Sequence, residues 1–433
     1  MKKILFSLLF ALTIVLTACT TVDNNPQGNK APKEPLKVEY WHTFAEPTGG
    51  ATIDRLAGEY NQKQDDIAIE AVYQEGNYKG LMTNLQLASA SASLPALSQM
   101  GYLYTNYFAN NFDYIDLEKM VDTYHPDDSD FFEETFEDNV YDLAKTADDE
   151  QVGLPYSLSG PVLFYNEDIL ASVDATAEDI ETWEGVYETA KKLNEKNGKA
   201  ALYMPVGDHW IQESLIKANG GRMLDENNQA SFASEEGVEA YELYQDMVLN
   251  DLCLNTEYMQ GHNAFIGGEI SMLYTTAAMR DYVLSNANFE VKAVKAPSFE
   301  GKEAEQTIPA GGNFLTMPTN DENTAARVWG FVKYLYETEN VKDWITATGY
   351  LPMTKASAQD ADIAKLLKED PVYSANYAGI DKLGKWAPFP GNTGLKAQEV
   401  LVNMMDRILD GEDVRNNLEH AEDEINHLIE ADS

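Results

Sequence analysis

From residue 36 onward the chain alternates apolar and polar side chains as Leu36-Lys37-Val38-Glu39-Tyr40-Trp41, the period-two pattern of a half-buried strand. The period then changes. Between Ala51 and Lys63, the residues Ile53, Leu56, Ala57 and Tyr60 fall on one helical face. The run Ile67–Tyr73 predicts a second strand, the stretch from about Tyr78 to Ala90 a helix, and Ala96-Leu97-Ser98 a short third strand. This alternation predicts a parallel α/β sheet, in which ligands sit beyond the carboxyl ends of the strands and near helix N-termini.

A second block opens with Gly153-Leu154-Pro155-Tyr156-Ser157-Leu158-Ser159-Gly160, followed by the strand Pro161-Val162-Leu163-Phe164-Tyr165. Pro, Ser and Gly interrupting apolar runs mark a crossing between lobes. Helical patterns follow at Ile180–Leu193, His209–Ala218 and about Glu235–Leu249. The Gly-rich strand Ile308-Pro309-Ala310-Gly311-Gly312-Asn313-Phe314-Leu315 reads as a return crossing. Asp225-Glu226-Asn227-Asn228-Gln229 lacks the glycine and terminal glutamate of an EF-hand and reads as a hairpin turn. No repeat of fixed period is present. A chain of 433 residues exceeds one ordinary core and suits two lobes.

At the N-terminus, Lys2 and Lys3 precede an apolar run from Ile4 to Leu16 that is too short for a bilayer span, so residues 1–18 read as a signal peptide. Leu16-Thr17-Ala18-Cys19 is similar to a lipobox, which makes Cys19 the expected lipidated residue and the chain an extracytoplasmic protein held on the cell membrane. Residues 19–35, rich in Asn, Pro, Lys and Gly, carry too little apolar surface to order themselves and read as a tether. One further cysteine remains, Cys253 between Leu252 and Leu254, so an internal disulfide is excluded and a buried small hydrophobe expected.

The formal charge of -41, from 72 acidic and 31 basic residues, leaves no basic stripe to displace phosphate counterions, so a nucleic-acid partner is not expected. Catalytic signatures are missing as well. There is no Gly-x-Ser-x-Gly elbow, no His-Glu-x-x-His helix and no Gly-x-x-x-x-Gly-Lys-Ser/Thr loop, and His42, His125, His209, His262, His420 and His427 lack metal-ligand spacing. Neither metal nor other cofactor is expected, and the chain reads as a binding protein rather than an enzyme.

Trp41-His42-Thr43-Phe44, Gly76-Asn77-Tyr78, Leu94-Pro95-Ala96-Leu97-Ser98-Gln99, Pro161–Asn166, Trp210-Ile211-Gln212, Gly311-Gly312 and Thr348-Gly349-Tyr350-Leu351-Pro352-Met353-Thr354-Lys355 occur in that order. With these the chain resembles the family 1 extracellular solute-binding proteins of ABC importers, and within them the glycerol-3-phosphate-binding branch. The resemblance implies a two-lobed α/β fold of the periplasmic-binding-protein type II kind, closing by a hinge on a solute. On that basis residues 36–155 with 306–350 would form the first lobe, and 156–305 with 351–433 the second.

Carried over by position, the branch's ligand contacts fall on Tyr78, Ser159, Gly312 and Tyr350, with Gly311 beside them offering close backbone approach. Tyr102 stands where the branch has a glutamate, and Gly207 where it has a stacking tryptophan, with Trp210 three residues on. The expected phosphate-gripping arginine aligns near Lys396 or Ala397, and neither offers a bidentate fork. Each residue also has a purely structural reading: Tyr78 as surface packing, Ser159 as the end of a crossing loop, the glycines as a turn, Trp210 and Tyr102 as core aromatics. Trp41 and Trp183 are expected in the core. The solute is expected to be a saccharide, polyol or glycerophosphodiester, the protein partner a transmembrane permease, and the receptor itself a monomer.

Overall fold

The computed structural model describes residues 34–205 and 209–432, and the signal-peptide, lipobox and tether readings, together with Gly207, lie outside them. Among the described residues there are twelve strands: β1 Leu36–His42, β2 Ile67–Tyr73, β3 Leu97–Gly101, β4 Leu154–Ser159, β5 Pro161–Asn166, β6 Leu202–Tyr203, β7 Cys253–Leu254, β8 Met272–Thr276, β9 Val291–Lys295, β10 Ile308–Pro309, β11 Gly311–Thr316 and β12 Leu383–Gly384. They form two five-stranded sheets, β2-β1-β3-β11-β4 and β7-β6-β8-β5-β9, and a two-stranded pair β10-β12. Each large sheet is the floor of one lobe.

In the first lobe β1 pairs in parallel with β2 and β3, as the sequence alternation predicts, and β11 enters antiparallel between β3 and β4. Val38, Tyr40 and His42 of β1 point inward, and the helix Gly50–Lys63 covers them with Gly50, Ile53, Leu56 and Ala57 buried. Trp41 falls on the opposite side of the strand, only partly buried, its indole N–H donating to Glu39 Oε2 at 2.7 Å; strand alternation, not hydrophobicity, decides its place. Trp183 is fully buried, heads the helix Trp183–Asn197 capped by Thr182, and meets Tyr274 edge-on at 4.9 Å. Cys253 is buried, which pushes its thiol up to about 12. Asp225 Oδ1 accepts the N–H groups of Asn227 and Gln229, closing a hairpin between Leu224 and Ala230.

The chain passes between lobes at three places. β4 ends at Ser159 in one sheet and β5 starts at Pro161 in the other, so the first passage is Gly160, a little beyond the 155/156 boundary expected from sequence. Gly160 N–H donates to Asn376 Oδ1 at 2.9 Å, and its carbonyl accepts from Ala277 N–H at 3.1 Å. The second passage runs from β10 to β11 through Ala310, whose N–H donates to the Gly384 carbonyl at 2.9 Å. The third follows the helix Thr338–Thr348: Leu351 N–H still bonds the Leu158 carbonyl, and the helix Lys355–Gln359 packs on Phe131–Thr135 of the first lobe. Only Pro371–Tyr377 rests on β5 and β9, so this passage falls later than the 350/351 boundary.

Gly312 has φ +113°, and a Cβ there would lie 2.1 Å from the Ser157 carbonyl oxygen, next to the register shift at Asn313 and Phe314. Only glycine fits both constraints. Gly312→Ala should therefore destabilise the fold by about 2–4 kcal/mol, combining left-handed strain with a backbone clash. Urea denaturation monitored by circular dichroism measures this; a loss below about 0.5 kcal/mol would show that the strand pair relaxes freely.

Candidate functional site

The first-lobe wall is built where β3 and β11 end at the cleft. Tyr78 stands in the first turn of the helix Asn77–Ala90, and its ring lies over Gly101, where an added Cβ would approach Cδ2 to 2.9 Å. Its hydroxyl accepts from Asn313 Nδ2 at 2.9 Å and also hydrogen-bonds Tyr350 and Thr43. Burial of that end pushes the Tyr78 phenol up to about 12. The same Asn313 Nδ2 donates to Ser157 Oγ at 3.0 Å, and Trp344 Nε1 donates to that oxygen at 3.2 Å. Tyr350 stacks on Trp344 at 6.2 Å and 18° and meets Phe44 edge-on at 6.0 Å. Asn313 Oδ1 is buried without a hydrogen-bond partner.

Across the passage, Ser159 Oγ lies 3.4 Å from Thr276 Oγ1 of the second lobe. Gly311 keeps this corner open, because a Cβ would meet Ser159 Oγ at 2.7 Å and Trp210 Cζ2 at 2.9 Å. Trp210 is 4 % exposed and donates its indole N–H to the Pro309 carbonyl at 3.0 Å. Behind it, Trp386 stacks on His209 at 5.2 Å and tilts against Trp210 at 6.1 Å.

Beside this wall opens a cavity of about 1110 Å³ with Lys79 from the first lobe on one side and Tyr203, His209, Tyr258 and the helix Gly394–Leu409 of the second on the other. Its charged lining residues are Lys79 against Glu257, Glu399 and Asp406. His209 Nε2 and Trp386 Nε1 are buried without hydrogen-bond partners. Buried polar atoms left unpaired are costly, and a ligand that supplies their partners recovers that cost.

Tyr78, Ser159, Trp210, Gly311, Gly312 and Tyr350 are thus gathered around the first two passages. Two expected contacts are not. Tyr102 is 1 % exposed, and its hydroxyl donates to the Ser157 carbonyl at 3.0 Å while its ring packs near Phe314. β3 ends at Gly101 and the chain turns at once into a helical turn, which drives residue 102 beneath the sheet. Lys396 is exposed and is not among the residues lining the cavity, to which Gly394–Leu409 contributes Leu395, Gln398, Glu399, Val402, Asn403 and Asp406. Ala397 is buried. Sequence reading missed His209, Asn313, Trp386 and Gln398. His209 and Asn313 adjoin recognised positions, whereas nothing local marks Trp386 or Gln398, which reach the cleft through long-range packing.

Two α/β lobes joined by three short passages, with a polar aromatic cleft between them, define a hinged solute-binding protein. The family profile of bacterial extracellular solute-binding proteins matches residues 55–371, and the chain belongs to that family. It is 25% identical over 374 residues to the sn-glycerol-3-phosphate-binding periplasmic protein UgpB of Escherichia coli K12, covering 83% of each chain. Among solved structures, it is similar to the cyclic α-maltosyl-1,6-maltose binding protein of Arthrobacter globiformis, with TM-score 0.78, 19% identity and coverage of 92% of this chain and 100% of that one. UgpB of Mycobacterium tuberculosis in complex with glycerophosphocholine gives TM-score 0.78 at 16% identity, covering 91% and 98%. The fold is that of the two-lobed type II binding proteins, and the protein is a solute-binding receptor of the ABC-importer kind. Among the described residues no helix is long and apolar enough to cross a membrane, and no group of three or more His, Cys, Asp or Glu is placed to hold a metal ion.

Burial lowers both His42 and His209 from the usual 6.5 to about 4. Near neutrality both states of the protein carry neutral imidazoles and no penalty exists. As the pH falls below about 6.5, the unfolded chain takes up protons that the folded chain refuses, so stability drops until about pH 4. Urea midpoints measured across this window should fall more steeply for the wild type than for the His42→Gln, His209→Gln double variant; equal slopes would mean that neither imidazole is held neutral.

Proposed function

We propose that the cleft takes an uncharged or zwitterionic polyhydroxylated solute, a saccharide or a glycerophosphodiester, in preference to glycerol-3-phosphate. The carrying observation is the cavity's charge: three carboxylates and one lysine line it, and Lys396, standing where an arginine was expected, is an exposed residue outside that lining. A phosphate dianion leaving water needs charge-assisted donors to replace its hydration, and a predominantly anionic lining withholds them. Hydroxyl groups suit the unpaired Asn313 Oδ1, His209 Nε2 and Trp386 Nε1, and the C–H faces of a sugar suit Tyr78 and Tyr350. The maltosyl and glycerophosphocholine ligands named for structurally similar proteins support this class.

The protein binds without turnover in this reading. Ser159, the nearest approach to a nucleophile, has the Thr276 hydroxyl as its neighbour, and no histidine among the described residues hydrogen-bonds it. The receptor acts as a monomer beside a transmembrane permease, held to the membrane by lipid on Cys19.

Calorimetry with product analysis, run on a panel of neutral oligosaccharides, polyols, glycerophosphocholine and glycerol-3-phosphate, tests the solute class. A neutral or zwitterionic member should bind at least about tenfold more tightly than glycerol-3-phosphate. Tyr78→Ala should weaken it by about 1–3 kcal/mol, the range for removing a central anchor, whereas Lys396→Ala should leave it unchanged. Tight glycerol-3-phosphate binding that collapses in Lys396→Ala would return the protein to phosphate recognition, and turnover with a defined product would remove the receptor reading.

Anchoring is tested separately. Cys19→Ala should abolish palmitate labelling and release the protein into the medium or leave it unprocessed, since two acyl chains on one residue supply the membrane affinity. A variant that stays membrane-bound and is cleaved at the same site would refute it.

A further inference from the structure

The segment Leu383–Pro390 carries Trp386 into the cleft wall and is gripped by both lobes. It begins as β12, paired with β10 through Ile308 and Leu383. On the second-lobe side, Glu213 is 2 % exposed and accepts the Ala387 N–H on both carboxylate oxygens, at 3.1 and 3.3 Å. Lys217 Nζ lies 2.6 Å from Glu213 Oε1 and donates to the Lys385 carbonyl at 2.8 Å. On the first-lobe side, Asn106, 4 % exposed, donates from Nδ2 to the Pro388 and Phe389 carbonyls at 2.6 and 3.1 Å. Its Oδ1 accepts from its own lobe's Ala147 N–H at 2.8 Å. Lys385 Nζ adds bonds to the Thr146 carbonyl at 3.0 Å and to Asp149 at 3.2 Å.

These two grips differ in kind. The Glu213 grip is buried and charge-assisted, with an ammonium and a backbone N–H on one carboxylate, and such bonds are roughly twice as strong as neutral ones. The Asn106 grip consists of neutral amide bonds, and Lys385 on the same side is part-exposed to competing water. Pro388 and Pro390 fix φ along the strap, so it moves as a stiff piece rather than stretching. When the lobes part, the strap stays with the second lobe and the bonds to Asn106 are the ones exchanged for water.

We propose that Asn106 is a positioning residue that latches this strap, and with it the second lobe, to the first lobe in the closed state. The proposal rests on the reading of the protein as a hinged solute receptor, but its test needs no solute. Nitroxide labels placed on Asp122→Cys and Glu242→Cys, exposed positions of the two lobes, report the interlobe distance in the unliganded full-length chain carrying Cys19→Ala. Asn106→Ala should shift the distance distribution toward longer separations, at a melting temperature within about 3 °C of the parent. Lys385→Met, which keeps the stem and removes the charge, should shift it in the same direction by less.

Asn106→Ser retains a hydroxyl near Ala147 N–H but is too short to reach the strap, and it replaces the alanine variant if that fails to fold. A longer separation in the Asn106 variant, with or without an effect of Lys385→Met, supports the latch. An unchanged distribution in the Asn106 variant, whatever its melting temperature, overturns it and leaves Asn106 a residue of static packing. Failure of the solute reading would appear elsewhere, as a wild type that binds nothing in the panel.

Discussion

The pairing of β4 with β11, which sets Ser159 beside Gly311, is the constraint on which the cleft depends. One strand carries the chain out of the first lobe and the other brings it back, so hydrogen bonds between them fix two passages side by side. Because β11 also pairs with β3, Asn313 is delivered to the Tyr78 hydroxyl and Ser157 at once. A buried side-chain network of this sort is stable only when its donors and acceptors are matched, and here Asn313 Oδ1 is left unmatched. The absence of a Cβ at Gly311 and Gly312 lets Trp210 and the Ser157 carbonyl approach closely enough for the arrangement to exist.

Rigid and movable parts are separated by the chemistry of their contacts. Phe44, Tyr156, Trp344 and Tyr350 interlock by stacked and edge-on ring contacts, each worth about 0.5–1.5 kcal/mol beyond burial. That makes the first-lobe wall a preformed surface. On the hinge side, Arg280 donates to Asp370 at 3.0 Å and lies over the Tyr373 ring, whose hydroxyl donates to the Ile345 carbonyl of the first lobe at 2.6 Å. These contacts tie the helix Pro371–Tyr377 to elements of both lobes.

Electrostatics acts at two scales. The surplus of acidic side chains is spread over a solvated surface, where most ion pairs have partly exposed members and contribute little each. It keeps the chain soluble without selecting a partner. At the cavity the same sign recurs, with Glu257, Glu399 and Asp406 lining it against Lys79. The few buried charges, Glu213 with Lys217 and Arg280 with Asp370, sit where one element must be fixed against another.

Much of the fold was legible in one dimension, since strand alternation and helical spacing are local consequences of which side of an element is buried. The β1 and β2 runs and the Gly-Pro-Ser crossings coincide with strands and strand ends of the structure, and Tyr78, Ser159, Gly311, Gly312 and Tyr350 lie next to those signals. Tyr102 shows why side-chain direction was not legible: position in a motif fixes where a Cα falls, while the helical turn that follows β3 fixes which way the side chain points. His209, Trp386 and Gln398 meet from segments far apart in the chain. Sequence by itself determined the class of elements, their order and the family. Only tertiary packing decided which side chains face the solute, because that depends on contacts between lobes that no local pattern encodes.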